Sequence, residues 1–299
     1  MNSIYTKRLL AGIMAITLSM TFAPLTPAHA GVAPVCGPID LAFIVDDTGS
    51  MGGAITSIKT ELPNIIQDAK DVSGDDVRYA LWTFKDDVHR DTGDTFVDET
   101  TVSTAILALF ATGGDGEPEA SDAAKRDAVD VLDWDDDRLK IAVLITDARP
   151  GGDGRGGLPI DVVDVADVDR MLDAAIDAGN KPGAGIFMSD IYVPTGPDFA
   201  LPFDHPGVSP DTISGVLMAD ASLSGGVFMT VASDGSGTGE ALSAIIKNCG
   251  GGEVVGGLIL PTDSVALLLA GAFTNAIWIA PVLAGAAGTA AFYLKSRKN

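Results

Sequence analysis

The feature that most constrains this chain is a short apolar run that ends in a cluster of polar side chains. Residues 41–45 are continuously apolar, as expected for a central parallel strand that is buried on both faces. Asp46, Thr48 and Ser50 follow at once in the pattern Asp-x-Thr-x-Ser. Beyond this turn, apolar residues recur at helical spacing over residues 51–69. The sequence therefore predicts a strand, a polar loop and a helix, with the loop at the ligand-binding edge of an open α/β sheet.

The side chains of this loop predict a site for one divalent cation. Asp46 supplies a carboxylate, and Thr48 and Ser50 supply hydroxyl groups. Oxygen ligands of this kind suit Mg²⁺ or Ca²⁺. A simpler interpretation is that Asp46 and Ser50 only cap the helix that follows.

Two further loops extend this pattern, and the three together resemble the metal-ion-dependent adhesion site of von Willebrand factor type A (VWA) domains. In that family the first loop is commonly followed by Met, as it is here by Met51. The family's late motif, an apolar strand ending in Thr-Asp, is matched by residues 141–147. The resemblance implies that Asp147 reaches the cation from a neighbouring strand. It covers about residues 38–248 and implies a doubly wound α/β fold, with a mostly parallel central sheet and helices on both faces.

The middle loop departs from the common family pattern. Many VWA domains place a metal-binding Thr here, whereas residues 113–119 read Gly-Gly-Asp-Gly-Glu-Pro-Glu and look like a variant subgroup. Counting back from the expected helix puts Asp115 at the Thr position, with Thr112 as the alternative ligand. Coordination by Asp115 would add negative charge and favour Ca²⁺, whereas coordination by Thr112 would keep the usual Mg²⁺-like site.

The rest of the central region alternates between strands and helices, as a doubly wound sheet requires. Strands are expected over residues 77–84, 139–146, 185–193 and 226–231. Helices are expected over residues 101–110, 117–132, 165–178, 211–221 and 239–247.

The two ends of the chain predict export and membrane attachment. Residues 1–30 contain basic residues, an apolar run and a final Ala-His-Ala, which is the pattern of a cleaved signal peptide. Residues 264–294 carry no charged side chain and are long enough to span a bilayer, and residues 295–299 form a basic tail. The VWA domain would occupy residues 31–249, and a glycine-rich linker residues 250–263.

This organisation predicts a single-pass protein of the cell membrane. Its N-terminal domain would be extracellular or periplasmic, and the basic tail places the C-terminus in the cytoplasm. The segment 260–264 loosely resembles a surface-sorting signal, so cleavage of the anchor is the alternative.

The chain has two cysteines, Cys36 and Cys249. In a VWA fold the first strand is central and the last helix packs nearby, so the resemblance implies that the two residues can meet. An oxidising compartment favours a disulfide between them. Two free thiols are the alternative.

Charge and residue types exclude two classes of function. The formal net charge of −22 creates a field that repels nucleic acid, so no nucleic-acid partner is expected. His89 and His205 are the histidines of the exported region, and no Ser-His-Asp arrangement or catalytic cysteine can be assigned. We therefore expect no enzymatic activity.

These observations favour a cell-surface, membrane-anchored module that binds or adheres to a protein through a divalent cation. The partner would present an acidic side chain to that cation. A metal-independent structural scaffold of the cell envelope is the alternative, and a metal-assisted hydrolase is a further one. The glycine-rich loop over residues 150–159, with Arg149 and Arg155, would form either a rim facing the partner or an ordinary surface loop.

Overall fold

The computed structural model describes residues 36–114, 118–151, 163, 165–251 and 257–258. The expected signal peptide, membrane anchor and basic tail lie outside these residues, as does most of the expected linker. Asp115 and Arg155 also lie outside them.

One mixed sheet runs through the described part of the chain. Its strand order is β3-β2-β1-β4-β5-β6-β7, and every neighbouring pair is parallel except β2 and β3. The strands are β1 (Ile39–Asp46), β2 (Val77–Phe84), β3 (Val88–His89), β4 (Leu139–Thr146), β5 (Ile186–Tyr192), β6 (Phe228–Thr230) and β7 (Gly257–Leu258).

Helices cover both faces of this sheet. They are α1 (Gly52–Ser73), α2 (Glu99–Ala108), α3 (Ser121–Val131), α4 (Val165–Gly179), α5 (Ile213–Ser224) and α6 (Thr238–Lys247). Buried side chains of α1, α2 and α6 form one hydrophobic core with the sheet, and those of α3, α4 and α5 form a second core. The expected α/β fold with a mostly parallel sheet is therefore confirmed.

The central strand β1 shows why its sequence is continuously apolar. Leu41, Phe43 and Val45 point into the first core, and Ala42 and Ile44 point into the second. Because alternate residues of a strand face opposite sides, burial on both faces requires an unbroken apolar run. The polar residues can begin only where the strand ends.

The strand order reverses between β1 and β4. From β1 the chain passes to β2 on one side, and it later returns to place β4 on the other side. The carboxyl ends of β1 and β4 therefore border the crevice at which open α/β sheets bind ligands. Asp46 ends β1, and Asp147 directly follows β4.

Two short strands and several helix and strand boundaries differ from the sequence predictions. The helix expected over residues 101–110 spans Glu99–Ala108, and the one expected over residues 211–221 spans Ile213–Ser224. The two-residue strands β3 and β7 are not expected from the sequence, since neither is long enough to show an alternating pattern. The third helix begins at Ser121 rather than at residue 117, because the backbone of Glu119 pairs with the segment after β4 instead of joining the helix. The N–H of Glu119 donates to the carbonyl of Arg149 at 3.0 Å.

The disulfide between Cys36 and Cys249 is present, with the two Cα atoms 5.5 Å apart. Cys36 precedes β1, and Cys249 follows α6. The N–H of Cys36 also donates to the carbonyl of Val72 near the end of α1. The disulfide thus joins the segment before β1 to the segment after α6.

In the part of the chain that the structure describes, no helix combines the length and the apolar character needed to cross a membrane.

Candidate metal site

Asp46 lies at the centre of the candidate site and is fully buried. Its Oδ1 atom accepts hydrogen bonds from the backbone N–H and the hydroxyl group of Thr48, at 3.0 and 2.6 Å. Its Oδ2 atom accepts a hydrogen bond from the hydroxyl group of Thr146 at 2.8 Å. Because Thr146 ends β4, these bonds connect the ends of the two central strands.

The first loop brings both of its hydroxyl groups to the same place. The Oγ1 atom of Thr48 and the Oγ atom of Ser50 lie 3.1 Å apart. Residues Gly49–Met51 form one turn of 3₁₀ helix before α1 begins. The N–H of Gly49 donates to the carbonyl of Gly113 at 3.0 Å, which ties this loop to the middle loop.

Asp147 enters the site from the end of β4. Its Oδ2 atom accepts a hydrogen bond from the hydroxyl group of Thr195, which follows β5. The negative charge of Asp147 is one of the causes that raise the pKa of Asp46. The structure therefore brings Asp46, Thr48, Ser50 and Asp147 to one edge of the sheet.

The structure adds one carboxylate that the sequence analysis did not select. Glu119 is 3% exposed, and among the residues that the structure describes its Oε2 atom has no hydrogen-bond partner. Its backbone bonds to the segment after β4: its N–H donates to Arg149, and its carbonyl accepts from the N–H of Gly151 at 3.1 Å. The available signal was the Pro118-Glu119 pair, which the sequence analysis quoted only as part of the variant loop.

The two glycines of the middle loop allow the close approach of these groups. Gly113 and Gly114 both have positive φ values, 70° and 79°, which residues with a side chain rarely adopt. A Cβ atom on Gly114 would lie 2.8 Å from Thr48 Cγ2 and 3.0 Å from Glu119 Oε1. The backbone of the middle loop therefore packs directly on the site.

The two remaining candidate ligands of the middle loop are placed differently. Asp115 lies outside the described residues. Thr112 is exposed, and its N–H donates to the carbonyl of Asp47 at 3.0 Å. It is not among the residues that line the cleft described below.

Burial and mutual repulsion raise the pKa of two carboxyl groups of the site. The pKa of Asp46 is raised to about 7, first by burial and then by the charge of Asp147, against the hydrogen bonds from Thr48 and Thr146. The pKa of Glu119 is raised to about 9, mainly by burial and next by the charge of Asp46. Lys85 acts in the opposite direction on Glu119, but its ammonium group lies 2.5 Å from Asp47 Oδ2 and is shared with that carboxylate.

The donor set fits a hard divalent cation. Hydroxyl and carboxylate oxygens are the ligands that Mg²⁺ and Ca²⁺ take in proteins, and the buried Glu119 Oε2 atom has no other partner. Among the described residues, no three His, Cys, Asp or Glu side chains form a group that could hold a metal by themselves. A cation here would therefore rely on the hydroxyl groups of Thr48 and Ser50 as well as on carboxylates.

An open cleft of 290 Å³ lies above these side chains. It is lined by the first and middle loops together with Glu119 and Asp147, and by the loop after β5, which contributes Thr195, Gly196, Pro197 and Phe199. A ligand of side-chain size can thus reach the candidate metal site from solvent.

The two histidines lie away from this cleft. His89 is exposed on β3. The side chain of His205 is 8% exposed, and its Nε2 atom lies 3.0 Å from Asp169 Oδ1. Neither residue lines the cleft.

Comparisons with known proteins agree with the fold. Residues 40–150 match the family model described as the von Willebrand factor A domain. No curated protein is significantly similar to the chain. The fold is similar to that of a von Willebrand factor type A protein from Catenulispora acidiphila, at 16% identity over 71% of this chain and 43% of that one, with a TM-score of 0.50.

Two other solved structures are similar at TM-scores below 0.5. The PilB minor pilin from Streptococcus sanguinis shares 16% identity over 71% of this chain and 61% of its own, with a TM-score of 0.46. Proximal thread matrix protein 1 from the mussel byssus, with a zinc-occupied metal-ion-dependent adhesion site, shares 17% identity over 73% and 47%, with a TM-score of 0.47. The chain thus spans less than two thirds of each of these three structures. Residues 40–150 are thus similar to a von Willebrand factor A domain, and the α/β topology of the chain agrees with that similarity.

Proposed function

We propose that the chain is a membrane-anchored module of the cell surface that binds a protein partner in a divalent-cation-dependent manner. The observation that carries this proposal is the group formed by Asp46, Thr48, Ser50 and Asp147 at the crevice between β1 and β4. Thr48, Ser50 and Asp147 border an open cleft, and the buried carboxylate of Asp46 accepts a hydrogen bond from the Thr48 hydroxyl group.

Each residue of the group has a definite role in the proposal. Asp46, Thr48, Ser50 and Asp147 would hold the cation, and Glu119 would contribute its unpartnered carboxylate oxygen. When bound, the cation supplies the positive charge that an acidic side chain of a partner requires. Ca²⁺ would be preferred if Asp115 adds its charge, and Mg²⁺ if it does not.

The negative charge of the chain explains why binding of an acidic partner would depend on a bound cation. With a formal net charge of −22, the chain repels acidic partners at long range, and salt screens this repulsion. Recognition of a carboxylate therefore needs a local positive group, which the cation would provide. The described residues that line the cleft include no Lys, Arg or His side chain that could supply this positive charge.

Attachment to the cell surface is proposed from the sequence patterns at the two ends of the chain. Intact mass of the mature protein extracted from membranes would test it. A mass that lacks residues 1–30 but retains the apolar span is expected. A mass that ends near residues 260–264 would indicate a cleaved sorting signal instead.

The metal site is tested by calorimetric titration of the purified full-length chain in detergent with Mg²⁺ and with Ca²⁺. We expect saturable binding that is lost in Asp46→Ala and in Asp147→Ala. Asp137→Asn is the matched control. Asp137 is exposed and lies before the start of β4, whereas Asp147 follows the end of that strand. No binding to the wild-type chain, or equal binding to all variants, would refute cation dependence.

A metal-independent scaffold is the second candidate. It is favoured by the internal hydrogen bonds of Asp46, whose two carboxylate oxygens already accept bonds from Thr48 and Thr146. The loop can therefore keep its shape without a cation. A Ser50→Ala variant that loses cation binding but keeps full partner binding would favour this role. Hydrolytic activity that disappears in Asp147→Ala would instead favour the metal-assisted hydrolase.

A further inference from the structure

The cleft above the candidate metal site is lined by apolar as well as polar residues. Phe199 is one of the apolar ones and is 44% exposed. A single exposed apolar side chain is ordinary on a protein surface. Phe199 differs from that ordinary case because it borders the same small cleft as Ser50 and Asp147.

The Phe199 side chain is held in place by groups around it. The guanidinium carbon of Arg149 lies 5.5 Å from the centre of the ring, which is a cation–π distance. The same guanidinium donates a hydrogen bond to the carbonyl of Ala200 at 3.2 Å. A ring that is already positioned loses little conformational entropy when a ligand packs on it.

The backbone around Phe199 is also fixed, at the start of α5. The carbonyl of Phe199 accepts from the N–H of Ile213 at 3.2 Å. The carboxylate of Asp198 accepts from the N–H of Ser214 at 3.0 Å and from its hydroxyl group at 2.6 Å. The loop therefore presents Phe199 from a defined position.

Gly196 leaves room beside the ring. A Cβ atom on this residue would lie 4.0 Å from Phe199 Cε2, with no other heavy atom within that distance. An Ala there would only touch the ring, whereas a larger side chain would occupy space in the cleft. Since Gly196 does not have a positive φ value, such a substitution causes no backbone strain.

The acidic character of the chain makes apolar contacts important for the affinity of an acidic partner. An acidic partner gains nothing from long-range charge, so affinity must come from the cation and from uncharged contacts beside it. Side chains close to a bound carboxylate along a peptide can contact the apolar residues that line the same small cleft. Phe199 and Pro197 offer them an apolar surface.

We propose that Phe199, positioned by Arg149, is an apolar subsite that selects protein segments in which an acidic residue is flanked by aromatic residues. This inference rests on the proposed function, because the acidic residue is the one that the cation would bind. It adds the chemistry of the neighbouring residues to the description of the partner.

The test compares three capped peptides on the full-length chain in detergent, with Mg²⁺ or Ca²⁺ as the titrations require. The peptides are Gly-Phe-Asp-Phe-Gly, Gly-Ser-Asp-Ser-Gly and Gly-Phe-Asn-Phe-Gly, and binding is followed up to millimolar concentration by ligand-observed NMR. We expect the first peptide to bind about three- to tenfold more tightly than the second, as an aromatic pair provides. The third should not bind, because it lacks the carboxylate.

Two variants locate the preference at Phe199. Phe199→Ala should reduce the affinity for the aromatic-flanked peptide to that for the serine-flanked one, and Gly196→Val should do the same by filling the cleft. Phe110→Ala is the control, because Phe110 is 73% exposed but does not line the cleft. This control should keep the full preference for the aromatic-flanked peptide.

The outcomes separate this inference from the proposed function. If cations do not bind, both are refuted. If cations bind but the two Asp peptides bind equally, or neither binds, the apolar subsite is refuted and the cation site stands. A preference that survives Phe199→Ala would likewise refute the subsite.

Discussion

Thr195 shows how one side chain outside the first loop can act on the site. Its hydroxyl group donates a hydrogen bond to Oδ2 of Asp147 and so restrains one of the proposed metal ligands. We predict that Thr195→Val lowers cation affinity about tenfold without abolishing it, the usual scale for a partner of a metal ligand. Calorimetric titration of the variant measures this change.

A second threonine provides the control for Thr195. Thr104 is exposed on α2, where its hydroxyl group donates to the carbonyl of Thr100 in the same helix. Thr104→Val removes the same hydroxyl and should leave cation affinity unchanged. If Thr195→Val binds cations as tightly as the wild type, the bond to Asp147 has no positioning role.

A buried lysine between two aspartates makes a separate prediction about stability. Lys125, Asp190 and Asp220 are all fully buried, and the ammonium group contacts both carboxylates. Lys125→Met would remove the cation that both buried carboxyl groups contact, so we expect a loss of about 3–5 kcal/mol in the free energy of unfolding. Asp190→Asn keeps one ion pair and should cost much less. Thermal unfolding of the two variants tests this order.

The same cluster predicts a dependence of stability on pH. The pKa of Asp190 is raised well above its ordinary value, chiefly by burial and also by Asp220, although Lys125 acts against both. The folded chain therefore keeps a proton that the unfolded chain releases near pH 4. The contribution of Asp190 is full below that pH and is lost as the pH rises through its folded pKa. Relative to Asp190→Asn, the wild type should thus lose stability as pH increases above about 4, and parallel curves for the two proteins would contradict this.

The residues of the site differ in how far the sequence alone can identify them. Asp46, Thr48 and Ser50 lie within five positions, so a local pattern predicts their meeting. Glu119 and Thr195 join them only because the segment between α2 and α3 and the loop after β5 reach the same edge of the sheet as Asp46 and Asp147. Such contacts depend on tertiary structure, and no spacing in the sequence encodes them.

At the scale of elements, the start of α1 depends on a glycine that packs on a neighbouring loop. A Cβ atom on Gly53 would lie 1.7 Å from the carbonyl oxygen of Asp234. We predict that Gly53→Ala displaces this loop and destabilises the fold by about 1–3 kcal/mol. Circular dichroism melting curves give the measurement.

The preceding glycine is a matched control for Gly53. A Cβ atom on Gly52 would lie 3.8 Å from its nearest neighbour, the Cβ atom of Ala111. Because both positions are helical, Gly52→Ala should be neutral or stabilising by up to about 1 kcal/mol. Equal effects of the two substitutions would show that helix propensity, rather than contact with Asp234, decides the result.

The long elements follow directly from local sequence, and the short ones do not. The bounds predicted for β2 and β4 match the structure, because each strand is a buried apolar run with clear ends. The strand β3 has two residues and is set by the turn that leads back to β2. The start of α3 is set by backbone pairing between Glu119 and Pro150, which competes with helix formation.

At the scale of the whole molecule, the disulfide limits the freedom of the unfolded chain. Cys36 and Cys249 are separated by 213 residues, so the bond closes a very long loop. We predict that the double variant Cys36→Ala, Cys249→Ala is destabilised by about 2–5 kcal/mol. Denaturant unfolding of the double variant, the oxidised wild type and the reduced wild type measures this loss. Reduction should reproduce the effect of the double variant, and no change in either case would contradict the prediction.

The order of the strands has a consequence for the chain as it is synthesised. The first ligand group, around Asp46, emerges early, but Asp147 follows only after roughly a hundred more residues and Thr195 after roughly fifty beyond that, at synthesis rates of about 5–20 residues per second. Until β4 and β5 are in place beside β1, no segment holds more than a fragment of the site. A chain that ends before β5 would therefore present no complete binding surface, so competence to bind would itself report that synthesis has passed the loop after β5.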